Sequence, residues 1–173
     1  NKNRSSKAIF ELYIKFMIKE FSTRKSVEEV EEGETLQPKF DHNNLIPVIT
    51  VDQSNSEILM HGYMNQEAFR LSMQTKEAHY WSRSRKCIWK KGETSGLIQI
   101  IKEIKIDDDQ DCVIFKVALG GLKASCHVGY KSCFYRKITL EEGQYVDKLE
   151  FTEKEKVFDP QEIYGNAPNP TKL

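Results

Sequence analysis

The stretch I-Q-I-I-K-E-I-K-I-D-D-D-Q-D-C-V-I-F-K-V-A occupies residues 98–118. Its first part sets Ile98, Ile100, Ile104 and Ile106 among polar residues, the two-residue period of a half-buried strand. Cys112 to Ala118 is a second strand-like run, and D-D-D-Q-D is the short connection between them. Two such runs joined by an acidic turn predict an antiparallel pair.

Moving upstream, Leu45 to Val51 and Ile58 to Tyr63 read as a hairpin around a turn at Asp52 to Ser56. Asn65 caps a short helix from Gln66 to about Gln74, with Ala68, Phe69 and Leu71 as its apolar contacts. His79 to Ser84 and Cys87 to Lys90 read as two more strands, followed by a loop from Gly92 to Gly96. The pattern predicts an α+β fold, mainly antiparallel strands with a few helices.

Outside this body, Ser5 or Ser6 caps a predicted helix running to about Phe21, with Ile9, Leu12, Tyr13, Phe16 and Met17 on one face. V-E-E-V-E-E-G-E reads as a solvated acidic linker. The expected organisation is residues 1–37 as N-terminal helix and linker, 38–139 as the body, and 140–173 as a polar tail in which N-A-P-N-P is extended coil.

The chain of 173 residues is 39% hydrophobic and 30% charged, which suits a globular domain with a real core. Its net charge of zero argues against a general nucleic-acid binder. Four irregularly spaced cysteines do not resemble a secreted disulfide scaffold and point to metal, catalysis or core. The apolar stretch near the start is broken by Glu11, Lys15, Lys19 and Glu20, so neither a membrane span nor a signal peptide is expected. The expected compartment is cytoplasmic. The chain begins at Asn1 rather than Met, so residues preceding it are expected.

Two clusters carry metal chemistry. In extended chain Asp107, Asp109 and Asp111 share a face and Asp108 points away. Three such carboxylates suit Mg²⁺ or Ca²⁺, although an acidic run taken alone is more often a solvated turn. The second cluster is C-H-V-G-Y-K-S-C, with His127 beside Cys126 and a second thiol at Cys133. Two thiolates and one further ligand leave zinc an open position, the layout of a catalytic site, and His127 is placed to carry a proton. His79 reads as a satisfied core histidine.

A third cluster carries cationic and hydroxyl groups. Arg83 and Arg85 share a face of the predicted strand and suit a phosphate. Lys90, Lys91, Gly92, Thr94 and Ser95 add donors around a glycine turn.

H-Y-W-S-R-S-R, W-K-K-G-E-T-S-G, D-x-D-x-D and C-H-x-G-x-x-S-C-F-Y-R, in this order, resemble phosphoribosyl-AMP cyclohydrolase, an enzyme family of histidine biosynthesis. The resemblance covers roughly Phe40 to Lys137. It implies a monofunctional hydrolase that adds water to C6 of the purine ring of phosphoribosyl-AMP and breaks the N1–C6 bond. It further implies Mg²⁺ at Asp107, Asp109 and Asp111, zinc at Cys126 and Cys133, and proton transfer by His127. The nucleotide substrate would lie against Trp81, Ser82, Arg83, Ser84, Arg85, Lys91, Gly92, Glu93, Thr94 and Ser95. Family members are similar in forming intertwined homodimers whose zinc ligands come from both subunits; no nucleic-acid or membrane partner is implied.

The family's acidic run is usually D-C-D-x-D, with that cysteine as third zinc ligand, where this chain has Asp108. Three readings stay open. Asp108 itself ligates zinc; Cys112, about 13 Å further along an extended chain, takes its place; or zinc is lost and the chain binds a nucleotide without catalysis. A divergent enzyme acting on another purine nucleotide is the remaining alternative.

Overall fold

A computed structural model describes residues 19–171. The central sheet has the order β2-β1-β6-β5, built from β1 (Ile46–Asp52), β2 (Ile58–Met64), β5 (Gln99–Ile106) and β6 (Val113–Leu119). β1 pairs antiparallel with β2 and β5 with β6, as expected; β1 and β6 run parallel. β3 (His79–Ser82) and β4 (Cys87–Lys90) form one separate hairpin, and β7 (Arg136–Glu141) and β8 (Gln144–Phe151) another. Among the described residues there are three helices: α1 (Val27–Glu32), α2 (Gln66–Thr75) and α3 (Pro160–Tyr164). The fold is α+β with mainly antiparallel pairing.

The core sits between the sheet, α2 and the β3–β4 hairpin, where Ile46, Val48, Leu59, Met64, Phe69, Tyr80, Val113, Phe115 and Val117 are buried together. Asn65 caps α2 by accepting from the Ala68 amide at 2.8 Å, as its sequence position predicts. The helix stops at Lys76, whose φ of 59° leaves the helical region.

Several expectations are corrected. The acidic segment is helix α1, not a loop. Ser26 accepts from the Glu29 amide at 3.1 Å, Glu28 and Glu29 sit at the positive end of the helix, and Val30 is buried. Gln110 holds it from the far side, donating to Val30 O at 3.0 Å and accepting from the Gln37 amide at 2.7 Å. The predicted N-terminal helix lies outside the described residues except at 19–21, which are not helical. Phe21 there packs on Phe69 and Phe40, with the Arg70 guanidinium over its ring.

The predicted face of β5 is inverted. Gln99 and Ile101 point inward, while Ile100 and Ile104 are exposed. A register shift between Ile101 and Glu103 then interrupts the simple alternation. The polar tail also carries regular structure. Its first part completes the β7–β8 hairpin, and Phe158 packs on Leu97 and Ala124. The segment N-A-P-N-P has neither helix nor strand, as expected.

Gln110→Ala should leave the buried Gln37 amide and Val30 carbonyl without partners. The expected loss is about 1–3 kcal/mol, read from urea unfolding, with the circular-dichroism strand signal unchanged.

Candidate active site

Residues 125–133 fold back on themselves. The Ser125 amide donates to Lys131 O at 2.8 Å, Cys126 to Tyr130 O at 3.2 Å, and Gly129 to Cys126 O at 3.1 Å. Gly129 has φ +106°, and a Cβ there would meet Phe158 O at 2.5 Å, so only glycine closes this turn under the C-terminal segment. The loop is also laced to the sheet. The Cys133 amide donates to Leu59 O at 2.7 Å, and Ser132 Oγ donates to Ile58 O at 2.7 Å. Lys131 Nζ pairs with Asp52 at 3.0 Å and also with Glu57.

These closures bring the two predicted thiols together. Cys126 is buried and Cys133 exposed. A hydrogen bond from the Cys133 thiol, aided by neighbouring amides and the Lys91 ammonium, holds the Cys126 thiol down to about 6. The same contact pushes the Cys133 thiol up. No third His, Cys, Asp or Glu donor groups with this pair among the described residues.

His127 is half-buried, and its Nε2 is buried without a hydrogen-bond partner among the described residues. Burial and the Lys91 ammonium push its titration below the usual histidine range, against an opposing contact from the Asn169 side chain. The imidazole is therefore neutral near pH 7 and able to accept a proton.

Lys91 was grouped with the phosphate-binding cations by sequence. The structure buries it, with Nζ donating to Ser125 O at 2.7 Å. Burial lowers its titration, opposed by Cys133 and Cys126. It belongs to the thiol loop, away from solvent.

Arg83 and Arg85 do not share a strand face, because β3 ends at Ser82 and the two arginines lie in the exposed turn before β4. Lys86, with φ 51°, reverses the chain there. Arg83 lies over the Tyr63 ring at 4.2 Å and Arg85 over Trp89 at 5.9 Å. Ser82 Oγ accepts from the Arg85 amide at 3.2 Å, and Ser84 is exposed beside it. Trp81 is half-buried on β3. Gly92, with φ +83°, opens the following loop; Glu93 and Thr94 are exposed on it, and Ser95 accepts from the Leu97 amide.

The acidic run is a turn and not extended chain. The Gln110 amide donates to Asp107 O, and Gln110 has φ 58°. Asp107 Oδ1 accepts from the amides of Asp111 and Cys112, each at 2.9 Å. Alternation is lost, and Asp108 joins Asp107 and Asp109, with one oxygen from each within 4.8 Å of the others. Lys39 lies 3.8 Å from Asp109 and 3.7 Å from Asp111. Burial and the Asp109 and Asp107 charges push Asp111 up. Cys112 sits at this same turn, so neither Asp108 nor Cys112 is grouped with the thiol pair of its own chain.

His79 Nδ1 donates to Glu77 O at 2.8 Å, a satisfied half-buried histidine. Gln99 was not singled out by sequence; its only signal is a polar residue inside an isoleucine-rich strand.

A family model described as phosphoribosyl-AMP cyclohydrolase matches residues 60–135. A protein of that name from Rhizobium etli is 48% identical over 136 residues, covering 79% of this chain and 89% of the relative. Another from Rhizobium rhizogenes is 48% identical over 143 residues, covering 83% and 93%. One from Nitrobacter winogradskyi is 44% identical over 143 residues, covering 83% and 97%.

The Asp52–Lys131 pair gives the loop's anchorage a pH signature. Bonds from Ser54, then Lys131, hold the Asp52 carboxyl at about 2, below its unfolded value. Its stabilising contribution is present above the unfolded carboxylate value of about 3.9. It is lost as pH falls through about 2. Asp52→Asn should flatten the stability profile across this acid range, as read by denaturant unfolding at stepped pH; an unchanged profile would contradict the assignment.

Proposed function

The chain belongs to the phosphoribosyl-AMP cyclohydrolase family, and we propose that its reaction, hydrolysis of the N1–C6 bond of phosphoribosyl-AMP in histidine biosynthesis, runs at residues 126–133. The observation that carries this reading is the closed loop that brings two thiols together beside a half-buried imidazole whose Nε2 has no partner among the described residues. No helix among the described residues is long and apolar enough to cross a membrane.

The donor sets fit two metals. Cys126 and Cys133 are soft donors already drawn together and suit zinc. The resemblance assigns Mg²⁺ to Asp107, Asp109 and Asp111; at this turn one oxygen from each of Asp107, Asp108 and Asp109 converges, and Lys39 pairs with Asp109 and Asp111. When bound, zinc supplies Lewis-acid activation of water near neutral pH. His127 takes the proton as water adds to C6, and returns it to the ring nitrogen as the N1–C6 bond breaks. Arg83 and Arg85, exposed with Ser84 in the turn after Ser82, hold the substrate phosphates; Trp81 lies on the strand leading into that turn, and Gly92, Glu93, Thr94 and Ser95 form the loop at the other end of the same hairpin.

Two sulfurs do not complete a zinc site, and Asp108 lies with the other carboxylates of its own chain. A homodimer in which the second copy offers Asp108 to the thiols satisfies both facts. The β7–β8 hairpin supports this assembly. Ile138 pairs with Leu149 and Leu140 with Tyr145, and with Phe151 these side chains are 50–76% exposed on one face. The other face carries the ion pairs Lys137–Glu150 and Lys148–Glu141. A large apolar face of this kind marks an interaction surface.

His127→Ala should lower phosphoribosyl-AMP turnover by about 10²–10⁴-fold while elemental analysis finds zinc unchanged; full activity would refute the proton-transfer role. Asp108→Ala should lose zinc and Cys112→Ala keep it, and the reverse would hand the ligand role to Cys112. Absence of zinc from wild-type protein purified without chelator, together with no turnover, would favour a nucleotide-binding dimer. Tyr145→Lys with Leu149→Glu should halve the mass by sedimentation, while Lys148→Ala leaves it unchanged.

A further inference from the structure

We propose that Gln99 is a positioning residue for Cys126, acting through Ser125; the link to metal rests on the zinc reading above. Gln99 is fully buried at the start of β5. Its Oε1 accepts from Tyr80 Oη at 2.6 Å, and Tyr80 Oη in turn meets Thr50 Oγ1 at 2.7 Å. Its Nε2 donates to Ser125 Oγ at 3.0 Å and to Met60 Sδ at 3.3 Å. Ser125 is itself buried and is gripped a second time, at its carbonyl, by the Lys91 ammonium at 2.7 Å.

The residue before Cys126 is thus tied at its hydroxyl to β5 and at its carbonyl to the segment after β4. A buried amide that loses its acceptor has no water to replace it, so displacement of Ser125 carries the full desolvation penalty. The chain Thr50–Tyr80–Gln99–Ser125 has a core end and a site end. Only the site end touches the loop, and this separates positioning from general stability. Partners that orient metal ligands from behind typically change metal affinity by about 10–100-fold when removed.

The test uses Gln99→Leu, Ser125→Ala, their double variant, and Thr50→Val as a core-end control. Co²⁺ affinity and the thiolate-to-cobalt absorption band are read alongside amide exchange at residues 126–130 in metal-free protein. Gln99→Leu and Ser125→Ala should each weaken Co²⁺ binding about tenfold and shift the band. The double variant should be no worse than the poorer single, because both cut one bond. Exchange at 126–130 should rise in both, and Thr50→Val should lower the melting temperature without changing affinity or exchange. KM for phosphoribosyl-AMP should stay constant while kcat falls.

Unchanged exchange and affinity in Gln99→Leu would overturn the proposal and leave the zinc reading standing. Equal effects in Thr50→Val would overturn it as well. Wild-type protein that binds no Co²⁺ would sink the zinc reading alone, and the exchange comparison would still decide the role of Gln99.

Discussion

The hydrogen bond from the Cys133 amide to Leu59 O, 2.7 Å long, is the constraint on which the candidate site depends. It ties a loop late in the chain to the start of β2, and Ser132 to Ile58 O and Lys131 to Asp52 repeat the tie over the two residues before it. With this edge fixed, the Ser125–Lys131 and Cys126–Tyr130 bonds swing Cys126 back to Cys133. The thiol pair is therefore built by backbone closure onto a sheet. Gly129 makes the closure possible, because the Phe158 carbonyl occupies the space a side chain would need.

Charge is distributed to match this geometry. Burial pushes His127 toward its neutral form and the Cys133 hydrogen bond pushes Cys126 toward thiolate, and the buried Lys91 ammonium adds to both. The carboxylates gather at a different turn, with Lys39 as their counter-ion. Burial gives the first of these fields its reach, since Lys91 has little solvent to screen it. The arginines of the β3–β4 turn are exposed and screened, which suits reversible capture of a phosphate.

Much of the fold was legible. β1, β2, β5, β6 and α2 follow from β-branched runs, a turn at Asp52 to Ser56 and the Asn65 cap, all local signals. The failures have physical causes. β5 carries isoleucine on both parities, so alternation could not tell which face is buried, and Gln99 went unnoticed. α1 reads as a linker because its stability comes from Gln110, far along the chain, more than from its own apolar content. The tail reads as polar because the outer face of its hairpin is charged and its apolar face is left exposed among the described residues.

The sequence by itself determined which groups can do chemistry: two thiols flanking a histidine, a run of acids, paired arginines and a glycine placed for a tight turn. It also determined the family, since those motifs stand in order along the chain. Only the tertiary structure decided which groups meet. Lys91 left the arginines for the thiols, and Asp108 joined the acids it was expected to oppose. Gln99 became the support of the loop. Each of these outcomes depends on burial and on contacts between distant residues, which local spacing does not encode.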